Sequence, residues 1–214
     1  MHSKDLITLS DYCELLSHAE DAVLLELERQ TYLQTIAPQM VSGKMQGRFL
    51  SLISRLKQPK YILEIGTFTG YSALCLAEGL SSDGQLHTIE IVDTYDHLIQ
   101  AYASKSKVYP KIKWYKGDAL ELIPTFNIAY DLVFLDAAKN KYLELLTMLE
   151  AKMKPGSILI ADNVLWYGKV IQTQKDEETK ILDLFNRTLA ASKKWNTQIL
   201  PLRDGLSISI RVDS

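Results

Sequence analysis

Short apolar runs of strand length alternate with longer segments of helical periodicity from residue 61 onwards. The predicted strands cover residues 61–65, 86–91, 112–115, 132–135 and 158–161. Strands separated by helices pair in parallel through crossover connections, which are almost always right-handed. The chain is therefore expected to be an α/β protein that binds ligands beyond the carboxyl ends of its strands.

The C-terminal segment follows a different pattern. Apolar and polar residues alternate there one by one, with Leu206, Ile208, Ile210 and Val212 set against Ser207, Ser209 and Arg211. A period of two indicates a strand with one wetter face. We expect this last strand to be antiparallel and to lie at the sheet edge.

The first sixty residues are predicted to be helical. Asp11 can cap a short helix, and helical spacing covers residues 21–36 and 45–56, with a loop at 38–43 between them. The sequence has no repeat and no linker of biased composition. We therefore expect one domain over residues 1–214, with N-terminal helices at 1–57 and the α/β core at 58–214.

Composition narrows the class of partner. The 214 residues carry a formal net charge of −2, which provides no global positive field for nucleic acid or anionic lipid. Lysines and aromatics mix over residues 105–116, a pattern more typical of a solvated corner than of an RNA-binding patch. Cys13 and Cys75 lack metal or disulfide spacing, and no apolar stretch approaches the ~20 residues that span a bilayer. The expectation is a cytoplasmic protein that binds neither membrane nor nucleic acid.

A glycine-containing turn follows the first predicted strand directly. Gly66 and Gly70 allow the backbone to approach a ligand closely, and Glu64 adds a negative charge at the base of the turn. The E-x-G-x-x-x-G spacing differs from the pyrophosphate-binding G-x-G-x-x-G. Glu64 would repel a pyrophosphate but tolerate a ligand that carries ammonium and sulfonium groups, although a tight turn above a buried glutamate remains an alternative.

Acidic residues end the next two strands. Glu90 stands where a carboxylate accepts hydrogen bonds from both ribose hydroxyls, or it is a surface residue at a strand end. Asp118 is placed to meet an adenine amino group, or only to cap the helix that begins at Ala119. The three acidic residues at successive strand ends together indicate a nucleoside site.

Oxygen-bearing side chains also end the fourth and fifth strands. Asp136 follows one of them, and Asp162 and Asn163 follow the other. If these strands are neighbours, their ends lie ~5 Å apart. Two carboxylates and an amide suit a hard divalent cation such as Mg²⁺, whereas the alternative is ordinary helix caps and an Asx turn.

Lys139 lies three residues after Asp136 and is predicted to fall on the first turn of the following helix. A dication nearby would disfavour the charged form of the lysine and lower its pKa, which would allow Lys139 to act as a general base. Away from a metal it would be an ordinary surface lysine.

These motifs together resemble the cation-dependent O-methyltransferases of the catechol and caffeoyl-CoA type, especially their small bacterial members. The resemblance runs from about residue 27 to the C-terminus. It rests on the segments 64–72, 135–139 with Tyr142, 161–166 and 204–206. It implies a Rossmann-like class I methyltransferase fold, with a seven-stranded, mostly parallel sheet, an antiparallel last strand, helices on both faces and an N-terminal helical extension.

The resemblance also implies roles for particular residues. Asp136, Asp162 and Asn163 would bind the metal, and Lys139 beside Asp136 would be the catalytic base. The residues assigned to the S-adenosylmethionine site are Met40, Ser42, Glu64, Gly66, Phe68, Ser72, Glu90, Asp118, Ala119 and Asp136. Tyr71, Trp166 and Lys139 would contact the acceptor. Phe68 stands where the animal catechol enzymes have a tyrosine, so a hydroxyl role is absent there.

The sequence thus predicts an S-adenosylmethionine- and Mg²⁺-dependent O-methyltransferase that acts on a small aromatic hydroxyl, catechol-like or hydroxycinnamoyl, and forms a homodimer as the family usually does. A nucleic-acid methyltransferase of the same fold is one alternative, although Asp136 is followed by two alanines rather than by a Pro-Pro-aromatic turn. A nicotinamide-dependent oxidoreductase is a second alternative, but the sequence lacks the G-x-G-x-x-G motif of that class. A non-catalytic protein that binds the methyl donor is a third alternative, but it would not need the metal ligands and the lysine.

Overall fold

Seven strands form one mixed sheet in the computed structural model, which describes residues 8–213. The strands are Tyr61–Ile65 (β1), Gln85–Glu90 (β2), Ile112–Lys116 (β3), Tyr130–Leu135 (β4), Met153–Ala161 (β5), Trp195–Leu200 (β6) and Leu206–Arg211 (β7). Their order is β3-β2-β1-β4-β5-β7-β6. The first five strands pair in parallel and β7 pairs antiparallel with β5 and β6, which confirms the predicted α/β fold.

Helices cover both faces of this sheet. They are Leu9–Leu16 (α1), Ala22–Gln34 (α2), Gly43–Lys57 (α3), Tyr71–Ala77 (α4), Asp96–Ala101 (α5), Ala119–Thr125 (α6), Tyr142–Glu150 (α7) and Glu177–Ala191 (α8). Because side chains alternate along a strand, Ile62 packs with residues of α2–α5 and Leu63 packs with residues of α6–α8. No helix within residues 8–213 is both long and apolar enough to cross a bilayer.

The N-terminal helices differ in detail from the prediction. Thr8 caps α1, and Asp11 is the third residue of the helix, where it accepts a bond from the Thr8 amide in a capping box. Leu52, an apolar residue of the predicted helix at 45–56, is 53% exposed, and Ile36, the last residue of the predicted helix at 21–36, lies beyond the end of α2 at 97% exposure. Residues 1–7 of the predicted N-terminal segment lie outside the described part of the chain.

The predicted edge position of the last strand is wrong. β7 lies between β5 and β6, and the serines that indicated a wet face, Ser207 and Ser209, are fully buried. The Ser209 hydroxyl lies 2.9 Å from the Thr197 hydroxyl of β6, which satisfies it away from water. The true edge strand, β6, was not identified from the sequence, because only β7 has a clear period of two.

The register of the sheet brings the predicted site residues together. Ile65 pairs with Leu135 and Leu135 pairs with Ala161, so the residues that follow β1, β4 and β5 are neighbours. The Asp136 amide donates to Ile65 O at 2.8 Å, and the Asp162 amide donates to Leu135 O at 3.0 Å. Gly66, Asp136 and Asp162 therefore stand side by side at the carboxyl edge of the sheet.

Candidate active site

A cavity of about 710 Å³ opens over the carboxyl ends of the parallel strands. Eleven of the predicted site residues line it: Met40, Gly66, Phe68, Glu90, Asp118, Ala119, Asp136, Lys139, Asp162, Asn163 and Trp166. A small recess adjoins the cavity and is lined in addition by Ser42, Tyr71 and Ser72. Of the predicted set, Glu64 alone lines neither space.

The first turn brings its backbone against the neighbouring strand. Gly66 has a φ of +105°, and a Cβ there would lie 2.1 Å from the Asp136 carbonyl oxygen. Only glycine fits this position, because the conformation and the contact both exclude a side chain. The turn therefore passes close to the strand end that carries Asp136.

Glu90 is held by three backbone amides. Its Oε2 accepts from the Phe68 amide at 2.9 Å, and its Oε1 accepts from the amides of Ile91 and Val92 at 2.9 and 3.1 Å. These bonds join the end of β2 to the turn after β1 and fix the carboxylate at the cavity wall. A carboxylate has about four acceptor sites, so acceptor capacity remains for a ligand hydroxyl.

Glu64 occupies a different environment from the one predicted. It lies on the same strand face as Ile62, fully buried, and its Oε2 accepts from the Thr88 hydroxyl at 2.5 Å. Burial raises the pKa of Glu64 to about 8, so the carboxyl group is mostly protonated at neutral pH. The predicted negative charge at the base of the turn is therefore corrected to a largely neutral, buried acid.

Asp118 caps a helix and also lines the cavity. Its Oδ1 accepts from the Leu120 amide at 2.8 Å and caps α6, and the residue also lines the cavity next to Ala119. The cap is established, and the adenine contact stays a prediction. Capping fixes the side chain at the wall and leaves its second oxygen available.

Tyr71 does not reach the large cavity. The ring is buried against α3, and its hydroxyl donates to the Glu20 carboxylate. The predicted contact with the acceptor is therefore not supported by the position of this side chain. Tyr71 borders only the recess, together with Ser42 and Ser72.

The Asp162 carboxylate is nearly enclosed. Its Oδ2 accepts from Gln46 Nε2 at 2.6 Å and its Oδ1 accepts from the Asn163 amide at 2.7 Å. Burial, followed by repulsion from Asp136, raises the pKa of Asp162 to about 6. The negative charge of this pair is therefore only partly compensated by the protein.

Lys139 connects the Asp136 carboxylate to the buried Tyr142 hydroxyl. Its Nζ donates to Asp136 Oδ1 at 2.8 Å and to the Tyr142 hydroxyl at 2.9 Å. Burial opposes the positive charge, but Tyr142 and the Asp136 carboxylate outweigh it and raise the pKa of Lys139 above its ordinary value. The fall predicted from the sequence requires a divalent cation beside the lysine, so it stays a prediction.

The donor set fits a hard divalent cation. Asp136, Asp162 and Asn163 follow adjoining strands and line one cavity, and they offer two carboxylates and an amide. Within residues 8–213 no group of three or more His, Cys, Asp and Glu side chains is placed to hold a metal. Mixed oxygen ligands whose negative charge is only partly compensated match the chemistry of Mg²⁺ or a similar cation.

The loop after β5 forms the outer wall. Trp166 and Tyr167 have φ angles of +48° and +54°, and the Tyr167 amide donates to Asp204 Oδ1 at 2.5 Å. The Leu165 amide donates to the Asp204 carbonyl oxygen at 3.0 Å, which ties the loop to the segment before β7. These bonds hold an energetically unfavourable backbone in place and present the Trp166 side chain to the cavity.

Sequence reasoning missed two residues that hold parts of the site in place. Gln46 of α3 is buried and bonded to Asp162, and a polar side chain on the buried face of an amphipathic helix was the available signal. Arg203 donates to the carbonyl oxygens of Gln39 and Val41 at 3.0 and 2.6 Å and to that of Ser42. Nothing in the sequence linked Arg203 to that loop, which lies about 160 residues earlier in the chain.

The strand order, the close glycine turn and the cavity above the strand ends define a Rossmann-like class I methyltransferase. Residues 14–212 match the family model described as O-methyltransferase. A catechol O-methyltransferase of Niastella koreensis is 28% identical over 92% of this chain and 93% of its own length. Caffeoyl-CoA O-methyltransferase 2 of Petunia hybrida is 30% identical over 81% of this chain and 77% of its own length.

Solved structures give the same assignment. The O-methyltransferase TomG of Streptomyces achromogenes, in complex with SAM, aligns with a TM-score of 0.89 and 28% identity over 100% of both chains. An O-methyltransferase of Bacillus cereus in complex with SAH gives 0.85 and 25% identity, over 94% of this chain and 95% of its own. The chain belongs to the O-methyltransferase family, as an S-adenosylmethionine-dependent enzyme.

Proposed function

We propose that the protein methylates one of two vicinal hydroxyl groups on a small aromatic acceptor, and that it requires a divalent cation, most simply Mg²⁺. The observation that carries this proposal is the convergence of Asp136, Asp162 and Asn163 at one wall of the cavity, with Lys139 bonded to Asp136. The names of the catechol and caffeoyl-CoA relatives support an acceptor of this class.

The size and lining of the cavity support two ligands side by side. A volume of about 710 Å³ falls in the range of pockets that enclose a drug-sized ligand, and it is shared between the nucleoside end at Glu90 and Asp118 and the metal end at Asp162. Trp166 provides a flat wall at the metal end. We therefore place the donor along the turns after β1 to β3 and the aromatic acceptor beside Trp166.

The reaction needs an oxygen nucleophile and a methyl group in line. S-adenosylmethionine supplies the methyl group on a sulfonium centre, and a bound divalent cation supplies Lewis-acid stabilisation and a template for the vicinal hydroxyls. Asp136, Asp162 and Asn163 would hold the cation, and Glu90 would accept hydrogen bonds from the ribose. The turn at Gly66 lies against the strand end that carries Asp136, so the chain's own residues bring the two ligands together.

Lys139 Nζ would take the proton from the reacting hydroxyl. Its ammonium form is stabilised by Tyr142 and Asp136, so Lys139 can act as a base only when the charge of Asp136 is shared with another cation. Asp136 is itself one of the proposed ligands. The same carboxylate would thus link occupation of the metal site to the proton affinity of the base.

Removal of the metal site tests the proposal directly. Turnover of catechol with the purified protein should require Mg²⁺ and stop in EDTA, and Asp136→Ala should abolish the Mg²⁺-dependent rate. Calorimetry should show that the variant binds S-adenosylhomocysteine within about tenfold of the wild type. Asp83→Ala, which removes an exposed carboxylate paired with Lys60, is the matched control and should keep full activity. Unchanged turnover in EDTA would refute the metal requirement.

The role of Lys139 has its own test. Lys139→Met should lower kcat by about 10²–10⁴-fold at neutral pH with a smaller change in KM, the range typical of general-base catalysis. Part of the rate should return as the pH approaches ~10, where a phenol ionises without help. Lys107→Met changes an exposed lysine that does not line the cavity and serves as the control. A Lys139→Met enzyme with the wild-type pH–rate profile would exclude the base.

A screen would identify the acceptor. Vicinal diphenols and hydroxycinnamoyl esters, offered with Mg²⁺ and labelled S-adenosylmethionine, should be methylated in preference to monophenols of the same size. Equal rates for monophenols and diphenols would contradict the proposed use of two adjacent hydroxyls.

A further inference from the structure

We propose that Gln46 is a positioning residue that fixes the Asp162 carboxylate in the orientation needed to bind the cation, an inference that rests on the proposed function. Gln46 lies in the first turn of α3, and its side chain is completely buried. Its Nε2 donates to Asp162 Oδ2 at 2.6 Å, across a separation of 116 residues. The contact joins the N-terminal helices to the carboxyl end of β5.

The two Asp162 oxygens are each held by one donor. Gln46 holds Oδ2, and the Asn163 amide holds Oδ1 at 2.7 Å. Two donors on opposite oxygens fix the rotation of the carboxylate about its χ angles. Each oxygen retains unused acceptor capacity, so the group can still bind a cation.

The chemistry of the amide suits this role. An ionised carboxylate only accepts hydrogen bonds, so the amide nitrogen must face Asp162. A lysine or arginine would orient the carboxylate as well, but its positive charge would offset the negative charge that attracts a cation. Gln46 supplies a donor without charge, and it leaves the repulsion between Asp162 and Asp136 uncompensated on this side.

The arrangement carries a cost that a purely structural contact would avoid. Gln46 Oε1 is buried and has no hydrogen-bond partner among the described residues. An unsatisfied buried acceptor costs about 1–3 kcal/mol. An apolar side chain of similar size would avoid this cost, so packing alone does not account for a glutamine here.

The backbone of α3 is held firmly beneath Gln46. A Cβ on the adjacent Gly47 would lie 2.6 Å from the Tyr71 ring and 2.9 Å from Cys75 Sγ, so α3 and α4 pack at very close range. Arg48 adds an ion pair to Glu78 at 3.0 Å. Gln46 therefore projects from a rigid helix, which is what an outer hydrogen-bond partner of a metal ligand requires.

The experiment compares Gln46→Met with Gln100→Met in the otherwise intact protein. Methionine matches glutamine in length and lacks the amide, and Gln100 is an exposed residue of α5. For each protein we would measure the affinity for Mg²⁺ and for S-adenosylhomocysteine by calorimetry, the Mg²⁺ dependence of turnover, and the metal-free Tm. Gln46→Ala, which cannot overpack the site, is a second variant.

Gln46→Met should raise the Kd for Mg²⁺ by about 10–100-fold, the usual effect of losing an outer partner of a metal ligand. The S-adenosylhomocysteine affinity should stay within about threefold, and saturating Mg²⁺ should restore most of kcat. Gln100→Met should match the wild type. A merely structural role would instead lower the Tm and weaken both ligands alike.

Two results would overturn the inference. One is a folded Gln46→Met or Gln46→Ala variant that binds Mg²⁺ within about twofold of the wild type. The other is an equal loss of Mg²⁺ and S-adenosylhomocysteine affinity in both variants. A wild-type protein that fails to bind Mg²⁺ would refute the proposed function itself, so the two failures are distinguishable.

Discussion

Replacement of Gly66 by alanine tests whether the close approach of the first turn to β4 is what aligns the two halves of the site. Gly66 has a φ of +105°, and an added Cβ would lie 2.1 Å from the Asp136 carbonyl oxygen. Ordinary van der Waals contact of a Cβ begins at 3.4 Å. The turn and the end of β4 must therefore separate by about 1.3 Å, the difference between these two distances.

Little around this contact can relax. The Gly66 amide donates to Ile89 O at 3.0 Å, and the Asp136 amide donates to Ile65 O at 2.8 Å, so both backbones belong to the sheet. An unfavourable left-handed conformation costs roughly 1–2 kcal/mol, and a forced shift in a packed region adds about 1–3 kcal/mol. Gly66→Ala should therefore lower the free energy of unfolding by about 2–5 kcal/mol, which lowers the Tm by roughly 4–20 °C for a chain of this size.

Activity should suffer more than stability. A displacement of about 1 Å at reacting groups costs on the order of 10²-fold in rate. Calorimetry should show weaker binding of S-adenosylhomocysteine, because Gly66 borders both the cavity and the small recess beside it. It should also show weaker binding of Mg²⁺, because Asp136 follows β4, the strand that must move.

Gly156→Ala is the matched control. Gly156 has a φ of +82° and nothing lies within 4 Å of its added Cβ, so the substitution has the conformational cost without the clash. The Gly156→Ala protein should lose about 1–2 kcal/mol in its free energy of unfolding and keep the turnover of the wild type. A Gly66→Ala protein with a Tm no lower than that of Gly156→Ala, and with turnover within about threefold of the wild type, would refute the reasoning.

Two further predictions concern buried charge and the loop before α3. Because the folded pKa of Glu64 is about 8 and its ordinary value is 4.5, the folded state keeps a proton that the unfolded state releases, and stability should fall as the pH rises from about 4.5 to about 8. Glu64→Gln should flatten that fall in thermal unfolding at pH 5 and pH 8, and an unchanged slope would contradict the assignment. Arg203→Ala removes the bonds to the carbonyl oxygens of Gln39, Val41 and Ser42, so the Kd for S-adenosylhomocysteine should rise about tenfold while Mg²⁺ affinity is kept. Arg203→Gly should show the same ligand effect with a smaller loss of stability, because Arg203 has a φ of +49°. If both variants bind S-adenosylhomocysteine as tightly as the wild type, the loop at residues 39–42 does not depend on Arg203.

The strand ends were predictable because their signal is local. Gly66 requires a positive φ, and Asp136 and Asp162 each follow an apolar run that can only be a buried strand. Parallel strands place such residues at one edge of the sheet, so the cavity and its acidic pair follow from the order of the elements.

Burial was not predictable in the same way. Glu64 reads as a charge in the sequence, but the packing of α4 against β1 encloses it and shifts its pKa. Ser207 and Ser209 indicated a wet face, yet they pair with Ala161 and Leu159 and so lie on the sheet face that α6–α8 cover. In each case the missing information is which segment packs on top.

The sequence by itself determined the α/β class, because periodicity and glycine placement act within a few residues, and it predicted the nucleoside end and the three oxygen ligands. Only the tertiary structure decided which side chains hold the site residues. Gln46 bonds to Asp162, Tyr142 bonds to Lys139, and Arg203 bonds to the loop at residues 39–42. Hydrogen bonds and pKa values depend on distance in space and on exclusion of water, and both are set when distant segments pack together.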